Sequence, residues 1–235
     1  MILSTNGIIQ SRAAGVPTGG IITTDLLMYI DPSIVQSSGS TVYDYLGNNV
    51  GTINNSTGVL VNDPTVGKIF QLNGSDQWIT LNNALTFTQG FTMQFIIKKT
   101  AGAQYTFLFS SLTGTNYILY TDLGYQPNCY LDTSKGANLF NPNFSSNQSG
   151  YYMLTLINSN SDNGITRIYK NKINTTYDCI TNNSVKSGAL NLKLGTYPNA
   201  GYWNGNIGAF MMYNRVLSKS EIDSNFDVAA ARFGI

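Results

Sequence analysis

Two tyrosines, a tryptophan and two asparagines crowd into eight residues at Tyr197-Pro198-Asn199-Ala200-Gly201-Tyr202-Trp203-Asn204, and Tyr125-Gln126-Pro127-Asn128-Cys129-Tyr130 is a second stretch of the same kind. Flat rings beside amides can stack on the apolar face of a sugar ring and bond its hydroxyls. The candidate glycan-binding residues are therefore Tyr197, Tyr202, Trp203 and Asn204. Acid–base chemistry is poorly equipped by comparison. The 235 residues contain no histidine, which removes the usual general base, Ser-His-Asp arrangements and HExxH zinc sites together. Glu221 is the sole glutamate, whereas sugar-cleaving enzymes commonly set two carboxyls across the bond. No two aspartates stand at a suggestive spacing, so the expectation is a protein without catalytic activity.

Charged residues make up 11% of the chain, against roughly 25% in ordinary soluble domains. Amide, hydroxyl and glycine take their place, with 28 Asn and 23 Gly. Net charge is +1 and Lys98-Lys99 are the only adjacent basic residues, so the basic footprint of a nucleic-acid binder is missing. No stretch reaches the ~18–20 apolar residues of a membrane helix, and Met1 to Asn6 lacks the basic start and apolar run of a secretion signal. Synthesis in the cytoplasm is the expectation. Cys129 and Cys179 have no metal-like spacing and read as buried thiols rather than a disulfide framework.

The elements that must position these residues are short strands. Phe91-Thr92-Met93-Gln94-Phe95-Ile96-Ile97 alternates and then turns wholly apolar, as a half-buried strand does near the centre of a sandwich. Tyr105 to Ser111, Tyr117 to Tyr120, Tyr151 to Asn158, Thr166 to Lys170, Leu190 to Leu194 and Ile207 to Tyr213 share that character, each bounded by Asn, Gly, Ser or Pro. Ile21 to Ile30 is rich in strand formers, and 31–55 reads as a long turn-rich connection. Lys68 to Leu72 and Gln77 to Leu81, separated by Asn73-Gly74-Ser75-Asp76, make a hairpin if they pair. About ten or more such strands argue for a sandwich of two antiparallel sheets. Helical signals are confined to the end, where Ser218-Lys219-Ser220-Glu221 forms a capping box and Ile222 and Phe226 share a face; the helix is expected from about Lys219 to Ala230.

Residues 1–20 read as an extended arm, and 21–235 as one domain. The arm is too apolar for a solvated tail, with Ile2, Leu3, Ile8, Ile9 and Val16 against the single charge of Arg12. These six are the candidate assembly residues, able to add as a strand to a neighbour's sheet edge.

Tyr213-Asn214-Arg215-Val216-Leu217-Ser218-Lys219-Ser220-Glu221-Ile222 resembles the closing signature of laminin G-like, concanavalin A-like jelly rolls. Weaker matches precede it in the family's order: Leu26 to Asp31, Tyr43 to Asn49, Phe70 to Ile79, Tyr151 to Thr155, Ile168 to Asn171 and Trp203 to Ile207. The resemblance implies an all-β jelly-roll sandwich with a short C-terminal helix. The glucanases on that scaffold carry an E-x-D-x-x-E strand, which this chain lacks. It places Trp203 where an apolar residue plugs the sandwich, a packing role that competes with sugar stacking. Some members hold Ca²⁺ at the sheet rim; Asp44 and Asp76, with Asn73, are the matching oxygens, although their flanking glycines and the lack of a dense acidic cluster favour plain Asx-turns. The resemblance implies no other cofactor. Asn225-Phe226 to Arg232-Phe233-Gly234-Ile235 looks like the ending of virion proteins of tailed bacteriophages. It implies a capsid decoration or other exposed head or tail component, with other virion proteins such as the major capsid protein, a second copy or a surface glycan as partners.

Overall fold

Period-two geometry sends Phe91, Met93, Phe95 and Ile97 to one side of their strand and Thr92, Gln94 and Ile96 to the other, and both sides are buried. A strand covered on both faces lies in the middle of a layered protein. The computed structural model describes residues 8–9, 20–34, 39–45, 49–82, 90–100, 106–111, 118–121, 127–130, 150–159, 165–174, 179–180, 192–197 and 200–235.

Among these residues the chain begins with β1 (Ile8–Ile9), β2 (Ile21–Ile22), β3 (Leu26–Ile30), β4 (Thr41–Tyr43), β5 (Asn49–Asn54), β6 (Leu60–Asp63), β7 (Gly67–Asn73) and β8 (Trp78–Leu81). It continues with β9 (Gly90–Lys99), β10 (Thr106–Ser111), β11 (Ile118–Thr121), β12 (Pro127–Tyr130), β13 (Tyr152–Ser159), β14 (Ile165–Lys170), β15 (Ile173–Asn174) and β16 (Cys179–Ile180). Then follow β17 (Leu192–Leu194), β18 (Thr196–Tyr197), β19 (Ala200–Tyr202), β20 (Asn204–Tyr213) and helix α1 (Lys219–Phe233).

Every pairing is antiparallel, and two sheets carry the fold. The seven-stranded sheet runs β12-β11-β10-β17-β8-β5-β4; the nine-stranded sheet runs β15-β14-β13-β9-β20-β7-β6, with β16 beside β14 and β3 beside β20. Between them lies one apolar core, to which Phe91, Phe95, Phe210 and Leu154 come from one sheet and Val42, Ile53, Ile79 and Leu194 from the other. The expected two-sheet antiparallel sandwich is therefore present.

A second core lies on the far side of the nine-stranded sheet, where Ile222, Phe226, Ala229 and Phe233 of α1 meet Ile96, Met153, Met211 and Tyr213. The capping box forms as the sequence implies: Glu221 N–H donates to Ser218 Oγ, and Glu221 Oε2 accepts from Ser218 N–H at 2.9 Å. The helix outruns the expected Ala230 to Phe233 because Gly234, at φ 65°, closes it in the left-handed conformation. Arg215 forks onto both oxygens of Glu221 at 2.8 and 2.7 Å, so the tail signature locks the helix start to the last strand. That pair holds the Glu221 carboxyl down at about 2.

Two expectations need correction. β7 and β8 do not form a hairpin: the turn between them crosses from the nine-stranded to the seven-stranded sheet, and Gln77 pins the crossing by accepting from Asn73 N–H and donating to the carbonyls of Asn55 and Thr57. The stretch 31–55 contains β4 and β5. Gly51 stands within β5, where a Cβ would lie 3.0 Å from Thr80 O of the paired strand. Ile21 to Ile30 is strand, as its strand formers imply, in two pieces parted where Asp25 takes φ 56°. Cys129 and Cys179 fall on β12 and β16, in different sheets. Of the arm, Ile8 and Ile9 pair with Ile22 and Ile21; Ile2, Leu3, Arg12 and Val16 lie outside the described residues.

Candidate functional site

The outward face of the seven-stranded sheet is built by alternation. Trp78-Ile79-Thr80-Leu81 sends Ile79 and Leu81 into the core and Trp78 and Thr80 outward, and Leu192-Lys193-Leu194 does the same with Lys193. Register aligns them: Thr52 opposes Thr80, Thr80 opposes Lys193, and Asn54 opposes Trp78. Neighbouring strands lie ~4.8 Å apart, so these side chains form a continuous patch of partly exposed rings, hydroxyls and amide.

The β18–β19 hairpin completes the patch. Gly195 takes φ 90°, a conformation open to glycine, and a Cβ there would strike Leu72 Cδ1 at 2.4 Å. The chain thus turns off β17 immediately, and Ser110 Oγ donates to Thr196 O at 2.6 Å to hold the hairpin down. Tyr202 then reaches Trp78, with ring centroids 6.0 Å apart and planes at 33°. Lys193 Nζ lies 5.4 Å from the Trp78 centroid. Thr80 Oγ1 accepts from Trp78 Nε1 at 3.2 Å and from Asn54 Nδ2 at 3.1 Å. A hydroxyl has one hydrogen and two lone pairs, so the Thr80 hydrogen remains available to a ligand. Thr52 Oγ1 bonds Asn82 Oδ1 at 3.3 Å on the exposed margin.

The expected glycan-binding residues divide accordingly. Tyr202 faces the patch and Tyr197 is partly exposed on the same hairpin. Trp203 has no exposure at all and belongs to the central core, so it cannot stack on a sugar; it is the plug. Asn204 leaves toward the crossing turn, its Cβ lying 2.6 Å from where a Gly74 Cβ would be. Of the second aromatic stretch, Tyr125 and Gln126 lie outside the described residues. Trp78, Thr80, Asn54 and Lys193 were not singled out for binding from the sequence. The signal was the strict alternation of Trp78 with Ile79 and of Lys193 with leucines, which marks them as outward.

The candidate calcium residues do not converge. Asp76 accepts from Asn73 Nδ2 at 2.8 Å and from Asn55 Nδ2 at 3.0 Å, while Asn73 Oδ1 takes the N–H groups of Ser75 and Asp76, an Asx-turn arrangement. Asp44 is buried beyond the other end of β5, roughly 17 Å of strand away. Among the described residues no three His, Cys, Asp or Glu side chains gather around a metal position, and no helix is long and apolar enough to cross a membrane. The sole glutamate is held in the Arg215 pair.

Comparison with known proteins agrees with the architecture. Domain 4 of AbnA, a GH43 extracellular arabinanase from Geobacillus stearothermophilus, solved with arabinotriose, superposes with a TM-score of 0.67 at 17% identity, covering 86% of this chain and 98% of that one. Trypanosoma rangeli sialidase in complex with the inhibitor DANA gives 0.63 at 14% identity over 92% of this chain, which spans 36% of the sialidase. The binding domain of botulinum neurotoxin DC, in complex with rat synaptotagmin II, gives 0.63 at 13% identity, covering 87% of this chain and 51% of that one. No curated protein matches. A family model for the concanavalin A-like lectin/glucanases superfamily matches residues 73–223, from the crossing turn through β20 to the helix start, and the chain belongs to that superfamily as a jelly-roll sandwich.

Proposed function

We propose that the chain is a non-catalytic carbohydrate-binding module whose ligand lies across the outward face of the seven-stranded sheet. The observation that carries this reading is the Trp78–Tyr202 ring pair, set beside the hydroxyls of Thr80 and Thr52 and the amide of Asn54. Rings held by a rigid sheet lose little freedom when a sugar stacks on them, and hydroxyl and amide donors fix its orientation. Solved neighbours that hold sugars support the reading at the level of fold. The lack of histidine and the engagement of Glu221 by Arg215 support the absence of catalysis.

A glycan array with the full chain tests it. Saturable binding is expected, weakened at least tenfold by Trp78→Ala and by Tyr202→Ala, with melting curves confirming that both variants fold. Binding that both variants retain, or an array without a hit, overturns it. Incubation with bound polysaccharides should release no new reducing ends.

For its setting, we propose a virion: an exposed head or tail component of a tailed bacteriophage, assembled in the host cytoplasm and docked through residues 1–20 to other virion proteins, with the glycan face turned outward. The arm's apolar composition supports this. Deleting residues 1–20 should abolish incorporation into particles; unchanged incorporation refutes the docking role.

A further inference from the structure

Resting on the binding face just proposed, we infer that its ligand is an acidic sugar, a glycan residue bearing a carboxylate, and that Lys193 reads that carboxylate while Trp78 takes the ring. The motivating geometry is the place of Lys193, the only charged side chain in the patch among the described residues. Lys193 sits between Thr80 on β8 and Ser110 on β10, and Ser110 is buried under the hairpin. The ammonium is therefore confined to the side of Trp78 and Thr80. There it rests over the indole, and among the described residues no carboxylate pairs with it.

A half-exposed cation–π contact holds an ammonium weakly, whereas a charge-assisted hydrogen bond to a carboxylate is stronger and directional. An incoming carboxylate would draw Lys193 off the indole and so uncover the ring for the sugar in the same event. A neutral sugar must displace the ammonium with nothing to receive it. The row Thr52–Thr80–Lys193 also suits a planar group with two acceptor oxygens, because Thr80 retains a hydrogen to donate next to the lysine. A carboxylate can then take one bond from each. Lys193 thus selects by two routes, attraction of the acid and occlusion against its neutral counterpart.

The test uses the intact chain on an array of paired oligosaccharides: uronate- or sialate-containing members, the same molecules with the carboxyl reduced to an alcohol, and sulfated neutral members. The acidic member of a bound pair should bind about tenfold or more tighter than its reduced form, and the difference should shrink as salt is raised. Lys193→Met should remove the difference, leaving the reduced form bound as tightly as before or more tightly, with an unchanged melting temperature. Trp78→Ala should remove both. If the paired members bind equally, if sulfated members alone are preferred, or if Lys193→Met preserves the difference, the inference falls. In those cases binding that still depends on Trp78 keeps the carbohydrate reading intact. An array on which nothing binds removes both.

Discussion

On the nine-stranded sheet the row Thr92, Gln94 and Ile96 is roofed by α1; on the seven-stranded sheet the row Thr52, Thr80 and Lys193 is partly open. Both rows carry polar side chains, yet their bonding differs. Under the middle of the helix the polar groups are bonded to one another within the fold. Asn225 Oδ1 accepts from Ile22 N–H at 2.9 Å, and its Nδ2 donates to Gln94 Oε1 at 2.7 Å and to Tyr213 Oη at 2.9 Å. Gln94 passes on to Thr155 Oγ1, Tyr213 to Ile22 O, and Thr92 Oγ1 bridges Arg215 O and Leu217 N–H. Among the described residues, the open face keeps a Thr80 hydroxyl hydrogen and an ammonium that no carboxylate pairs. The same strand geometry yields a closed network where a helix covers it and a receptive one where none does.

The contrast predicts that variants under the helix change stability without changing affinity of the folded fraction, and variants on the open face do the reverse. The largest effect is expected from Ile222→Ala, which empties a fully buried position against the sheet and should cost about 3–4 kcal/mol in denaturant unfolding. Asn225→Ala strands Gln94 and the Ile22 N–H and should cost about 2–3 kcal/mol. A glycan affinity that shifts with either variant, measured on folded protein, would break the division.

Acid should act through the same covered side. The Arg215 hydrogen bonds first, then the Ser218 bonds, hold the Glu221 carboxyl at about 2 in the folded chain, against an ordinary 4.5. A depressed carboxyl stabilises the fold above its unfolded value, and the contribution disappears as pH falls from about 4.5 toward 2. Roughly 1–2 kcal/mol should be lost across that window, solvent screening included. Glu221→Gln should flatten this part of the stability–pH curve. The smallest stability effect belongs to the open face: Thr80→Val should cost under about 1 kcal/mol while weakening glycan binding several-fold. Should Thr80→Val unfold the chain as severely as Asn225→Ala, the open face is structural after all.

How far the sequence could be read follows from where the information lies. The helix start was legible in Ser218 to Ile222 because a capping box is local, and so was the central strand at Phe91 to Ile97 because alternation is local. The crossing at Asn73 to Asp76 was not, since a turn of those residues serves a hairpin and a sheet change equally; only the partners of Gln77 decide. Nor was β5, where Gly51 answers to a neighbour on β8. At the site, composition alone could not separate Tyr202 from Trp203; the resemblance placed Trp203 as the core plug, and it is fully buried. Adjacent residues on an extended chain face opposite ways, so one of the two had to be core, and which one depends on β20 pairing with β7 and β9. Trp78 stands far from Tyr202 in sequence, and their meeting is a product of the sandwich.

The placement of β20 bears on how the protein is made. Residues 204–207 pair with β7 and 210–213 pair with β3, while β9 holds its other edge. A ribosome therefore releases three waiting partners long before the strand that joins them has been translated. Until then their backbone edges are unsatisfied templates for any other nascent copy. Completion should be abrupt and late, which makes slow cool expression, or a chaperone that shields those edges, the condition under which intact molecules accumulate.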